Sequence, residues 1–220
     1  MNSLLYLNIA LTVFAAGSFI YGALHYLRPR KPLYASMIVV GVGCIMLGRI
    51  YILSRLLAGL AITGIFHVGI LGTIGAFGFF YSSNYGQIDS LVDDGSKDFM
   101  KYRIIAVSGI LITAALYVAV LMSPASLVEK ISDGVTAAFI AAASYYHVKH
   151  IFVPDVDYGV VSCLRWFNVL AFFYGALCMG EMAALAHNAE ILLIVICSLQ
   201  CIVSAALIPV MDKGVRSWSK

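Results

Sequence analysis

Seven apolar runs, parted by short polar connections, occupy the chain from Leu4 to Val210. A membrane-crossing helix needs about 20 mostly apolar residues, and in hydrocarbon only helices and closed barrels satisfy their own backbone polar groups. The runs match that length, so the expected fold is all-α: a polytopic membrane protein with seven transmembrane helices in a single domain over residues 1–220. Composition agrees, with 62% hydrophobic residues, 11% charged and a mean hydropathy of +0.95. That is more apolar surface than a soluble core of this size would use, and it leaves no room for a separate soluble domain. The helices are expected over about 4–27, 33–53, 57–81, 104–122, 127–147, 160–185 and 191–210, with a cytoplasmic loop over 84–102.

The breaks are chemically distinct. Arg28-Pro29-Arg30-Lys31-Pro32 makes a stiff, charged turn after helix 1, and Ser123-Pro124 ends helix 4. Ser54-Arg55 is so short a connection that helices 2 and 3 should be antiparallel neighbours. Helix 3 carries Gly59, Gly64, Gly69, Gly72, Gly75 and Gly78, and small residues let backbones approach within a membrane. It is therefore the expected central packing element. In the 84–102 loop, Ile88, Leu91 and Val92 at helical spacing, backed by Asp89 and Asp93, predict a short amphipathic helix at the membrane surface. Gly95 should end it, and Ser96 should cap the next helix. The Asp89, Asp93, Asp94 and Asp98 cluster does not follow an EF-hand. With Gly95 as the loop glycine, Ser90 and Val92 would stand where acids are required.

Charge placement orients the chain. With seven spans, the side holding loops 1–2, 3–4, 5–6 and the C-terminus carries ten Lys and Arg residues, whereas the other side carries only Arg55 and Lys130. Cationic residues favour the cytoplasmic side, which predicts a plasma (inner) membrane protein with its N-terminus outside and C-terminus in the cytoplasm. A net charge of +3 with no basic patch excludes a nucleic-acid partner. All five cysteines fall in apolar runs without a CxxC pair, so neither a disulfide nor a thiolate metal site is expected.

Ionisable groups inside spans are costly and are functional candidates by default. Asn8, Arg49, Asp133 and Glu181 come from four helices yet all fall in the outer third. His67 falls near the midplane, and Arg165 and Asn168 lie in the inner half. The outer set is expected to form a ligand site, with Arg49 for an anionic group and Asp133 or Glu181 for a cationic group or a proton. His67 is a candidate proton relay, and Asn168 and Arg165 are candidates for an inward pathway. No catalytic motif (HExxH, GxSxG or a Gly-rich phosphate loop) is present, so no enzyme chemistry, cofactor or metal is expected. Helix 7 has no lysine before Lys213 on which a retinal could be carried.

A faint internal repeat runs at an offset of 125. Phe14, Ala16, Tyr21, His25 and Pro29 recur as Phe139, Ala141, Tyr146, His150 and Pro154, and Asn8 falls on Asp133. Three helices, a lone fourth and three more resembles the three-plus-one-plus-three architecture of SWEET sugar carriers and nicotinamide riboside carriers, and more loosely of opsins. The resemblance implies that fold. It carries no site residue over, because the chain lacks both a mid-helix Pro-Gln and a tryptophan-rich pocket. The expected function is binding or transport of a small polar molecule in the outer half of the bundle. The alternative is a seven-helix sensory or accessory subunit that docks a cytoplasmic protein on loop 84–102.

Overall fold

Prolines and left-handed glycines set several of the helix ends. The computed structural model describes residues 2–63, 66, 68–154 and 159–218. Within these residues the protein is all-α, built from seven long helices: α1 (Asn2–Tyr26), α2 (Leu33–Leu57), α3 (Gly69–Asn84), α4 (Met100–Leu121), α5 (Leu127–Phe152), α6 (Val160–Ala186) and α7 (Glu190–Trp218). Pro29 and Pro32 lie between α1 and α2, Pro124 precedes α5 and Pro154 follows it. The Ser126 hydroxyl caps α5 by accepting the Glu129 N–H at 3.2 Å, satisfying one of the amides left open at a helix start.

Three elements depart from the sequence reading. The run expected as one helix over 57–81 divides, and α3 begins only at Gly69. Upstream, α2 continues through Ser54 and Arg55 to Leu57, and the chain then leaves the helix at Gly59, with φ +68°. The Arg55 guanidinium holds that exit in place by donating to the Ala61 carbonyl at 2.8 and 3.0 Å. The expected surface helix in the 84–102 loop is instead a π-helical turn, Tyr85–Asp89, that prolongs α3, followed by a short turn, Ser90–Val92, and a 3-10 turn, Lys97–Phe99. Ile88 and Val92 are buried against the bundle. Gly95 ends that segment in the left-handed region as expected, but Ser96 makes no side-chain cap. Finally, α7 passes through Pro209 and runs on to Trp218, its last turns anchored by Asp212, which accepts from the Tyr21 and Tyr26 hydroxyls at 2.7 and 2.6 Å.

Helices α1, α2, α3, α5, α6 and α7 close into a ring, each packed on the next and α7 returning to α1, while α4 lies outside against α5 and α6. Ser3 bonds Glu190 at one end of the α1–α7 pair and Tyr26 bonds Asp212 at the other, so these helices run parallel. The ring thus has an N-terminal end and a C-terminal end. The expected glycine packing is present between α2 and α3: a Cβ on Gly72 would sit 2.6 Å from both the Cys44 carbonyl and the Gly48 Cα. Among the described residues, five helices are long and apolar enough to cross a membrane: α1, α2, α4 with the turn before it, α6 and α7. The other two are α3, with 16 residues, and α5, which carries Glu129, Lys130, Asp133 and Lys149.

Candidate functional site

Near the N-terminal end, Arg49 of α2 is buried among apolar neighbours. Its guanidinium forms a two-pronged ion pair with Glu181 of α6, Nη1 to Oε1 at 2.6 Å and Nη2 to Oε2 at 2.5 Å. Gln200 of α7 completes the group: its Oε1 accepts from Arg49 Nη2 at 3.0 Å, and its Nε2 donates to Glu181 Oε2 at 2.9 Å. A buried ion pair holds together only when such bonds offset the loss of water. Three helices are thereby tied at one level.

A cavity of about 70 Å³ opens beside this group, lined by Arg49, Thr73, Glu129, Asp133, Glu181, the Cys178 thiol and otherwise apolar residues. That volume exceeds the roughly 10–15 Å³ that one water needs. Ile62 and Leu185 line both this cavity and a wider cleft of about 560 Å³ at the same end, so the cleft leads to it. Asp133, on α5, is 5% exposed and, among the described residues, has neither a hydrogen-bond donor nor an ion-pair partner.

Below the cavity the interior turns apolar. Ile140, Phe77, Phe80, Phe167 and Tyr174 are fully or almost fully buried, and their rings pack at 5.5 to 6.4 Å. Asp133, Ile140 and His147 are spaced by seven on α5, so one stripe of that helix reads acid, aliphatic, imidazole from the N-terminal to the C-terminal end.

Past the apolar layer lies a second, continuous polar group, in which His147 Nε2 and Asn168 Nδ2 are buried without a hydrogen-bond partner among the described residues. His147 Nδ1 is 2.8 Å from Asn168 Oδ1 and 3.2 Å from Asn84 Nδ2. Asn84 Oδ1 is 2.8 Å from His150 Nδ1, whose ring also meets Asp89 at 3.1 Å through Nε2. Lys149 bridges Asp89 and Asp93 at 2.6 Å each, and Arg103 pairs with Asp93. Both contacts of His150 are to oxygens; a neutral imidazole donates to one of them and an imidazolium to both. Outside the helices, the Arg103 guanidinium, with Lys149 and the Gly95 amide, holds the Asp93 carboxyl well below the usual carboxylate range. Burial pushes the Asp89 carboxyl up, but His150 and Lys149 outweigh it, and the result is also lowered.

Of the expected site residues, Arg49, Asp133 and Glu181 meet around one cavity. Asn8 is buried on α1, where its amide donates to Leu4 O at 2.9 Å, and it does not line that cavity. His67 lies outside the described residues. Asn168 joins the second polar group, and Arg165 donates to the Val153 carbonyl at 3.0 Å, closing the end of α5. Sequence reasoning missed Gln200, Asn84, His147 and Lys149. Gln200 stands alone in an apolar run, and His147 and His150 share a face at i,i+3, signals that were present but unweighted. Among the described residues no group of three or more His, Cys, Asp or Glu could hold a metal ion. Comparison of the chain with protein-family models, curated proteins and solved structures found no match.

Proposed function

We propose that the chain is a seven-helix plasma-membrane protein that binds or transports a small polar molecule, taken up from outside into the cavity between α2, α3, α5 and α6. The observation that carries this reading is the convergence of Arg49, Asp133 and Glu181, from three helices, on one cavity beneath an open cleft. Polarity is inverted relative to a soluble protein, which supports the membrane. Arg49, Asn84, Asp133, His147, Lys149 and Gln200 are buried, while Leu111 is 63% and Ile202 66% exposed. The distribution of Lys and Arg supports an orientation with the N-terminal end outside.

The ring supports a three-plus-one-plus-three arrangement. Contacts α1–α2, α2–α3 and α3–α5 recur as α5–α6, α6–α7 and α7–α1, with α4 left over. In this conformation the cavity faces outward, and the apolar layer with the polar group below it closes the inner half. That is one of the two states a carrier needs, and equally the resting form of a receptor. The acids Asp89 and Asp93 of the 84–102 segment point into the protein, which gives the docked-subunit alternative less support.

The test is accessibility in intact cells. A membrane-impermeant maleimide should label Thr63→Cys from outside, and Lys101→Cys only after permeabilisation. The opposite pattern overturns the orientation, and labelling of neither after permeabilisation overturns the exposure of both positions.

A further inference from the structure

The cavity's own charge selects among polar molecules. Among the described residues its lining holds three carboxyls, Glu129, Asp133 and Glu181, against one guanidinium, Arg49. Both terminal nitrogens of that guanidinium are already committed to Glu181, so an entering anion would meet a neutralised arginine beside two further acids. Asp133 is different in kind: a carboxyl 95% withdrawn from solvent, without a partner among the described residues, at the cavity wall. An isolated buried carboxylate is costly unless a cation joins it. Ile52, Ile70 and Met182 supply an apolar wall, and among the described residues no aromatic ring lines the space. A quaternary ammonium recognised by ring faces therefore finds no cage here, whereas an N–H donor on a short hydrocarbon finds both an acceptor and an apolar seat.

We propose that the cavity takes a small primary or secondary alkylammonium, its charged nitrogen on the Asp133 carboxylate and its hydrocarbon on Ile52, Ile70 and Met182. Glu129, nearer the surface, adds to the negative field that draws a cation inward. The assignment rests on the reading of this cavity as a ligand site, and the experiment separates the two.

Full-length protein carrying Thr73→Cys, at the cavity wall, is treated in detergent with methanethiosulfonates of three charges: neutral methyl, cationic 2-aminoethyl and anionic 2-sulfonatoethyl. Rates are compared with the parent protein and with a free thiol in solution. The neutral reagent should react. The cationic-to-anionic rate ratio should exceed that of the free thiol by about tenfold, the lower end of charge focusing in a cleft. Asp133→Asn should bring the ratio to within about twofold of the free thiol, as expected once the focusing charge is gone, and Asp133→Glu should keep it high. n-Butylammonium chloride should slow the reaction, while sodium butyrate at equal ionic strength should not. Reaction with the neutral reagent but no cationic preference, a preference that persists in Asp133→Asn, or equal protection by butyrate or by sodium alone overturns the ammonium assignment and leaves the cavity reading standing. No reaction with the neutral reagent overturns the cavity reading itself.

Discussion

Asp133 and His147 stand fourteen residues apart on one stripe of α5, about 21 Å along the helix axis, and the polar groups they belong to are completed differently. At the His147 end, Asp89 and Asp93 are both met by Lys149, with His150 and Arg103 filling the remaining contacts. At the Asp133 end, Arg49 and Glu181 satisfy each other and Gln200, and Asp133 faces open space. A fully partnered buried network rigidifies a protein, and a partly partnered one costs stability. At the His147 end the charges of Asp89, Asp93, Lys149 and Arg103 are all paired, and His147 Nε2 and Asn168 Nδ2 are left without a hydrogen-bond partner among the described residues. The charged part of that inner group therefore acts as a clasp, whereas the outer group leaves a carboxyl, Asp133, open to the cavity.

The largest expected effect tests whether the outer ion pair holds the bundle. Glu181→Gln leaves Arg49 buried without its countercharge and should destabilise the protein by about 3–5 kcal/mol, read from thermal or denaturant unfolding in detergent. Replacing both residues, Arg49→Met with Glu181→Met, should recover most of that loss. If the single and double variants fall equally, the pair is not what the helices depend on.

Lys149→Met comes next. It strips the shared cation from Asp89 and Asp93 but leaves Arg103 and His150, so a loss of about 1.5–3 kcal/mol is expected, the range for hydrogen bonds to charged groups. A loss as large as that of Glu181→Gln would make the inner group the stronger of the two.

Acid titration sharpens the contrast. The Asp89 and Asp93 carboxyls are held below their ordinary range. Their stabilisation is thus complete above the unfolded carboxylate value of about 4 and is lost as pH falls below it. The unfolding midpoint should change little from neutral to mildly acidic pH through these groups and then drop, and Asp93→Asn should flatten part of the drop while lowering the plateau. An unchanged acid limb in that variant would remove Asp93 from the clasp.

The smallest effect is expected at Asp133. Asp133→Asn removes an unpartnered acid and should shift stability by no more than about 0.5–1 kcal/mol, with stabilisation the favoured sign, while abolishing the cationic preference of the cavity. A loss comparable to that of Asp93→Asn would mean that Asp133 is structurally paired and that the two groups are alike after all.

Much of this molecule was legible before its coordinates. The seven helices follow from apolar run length, and the breaks between α1 and α2, between α4 and α5 and after α5 follow from Pro29, Pro32, Pro124 and Pro154. Arg49, Asp133 and Glu181 stood out because a charge in an apolar run needs a reason. The division of 57–81 was not legible, since Leu57 to Val68 reads as a largely apolar run, whereas the chain leaves α2 at the left-handed Gly59, held by the Arg55 grip on Ala61. Nor was the inward turn of 84–102, where the charges of Asp89 and Asp93 read as a solvated face and in fact meet Lys149.

Sequence alone determined the helical class, the inside-out polarity and the charge bias between the two ends, because hydropathy and net cation count are properties of composition along the chain. Tertiary structure decided the pairing. Arg49 could have served an anion, and only the position of Glu181, 132 residues away, spends its charge inside the protein. Asn8 sat at the same expected depth as Asp133, yet helix packing turned it away from the cavity that Asp133 faces. Depth can be counted from a sequence at about 1.5 Å per residue, but the direction in which a side chain faces across a ring of helices is set by contacts between residues far apart in the chain.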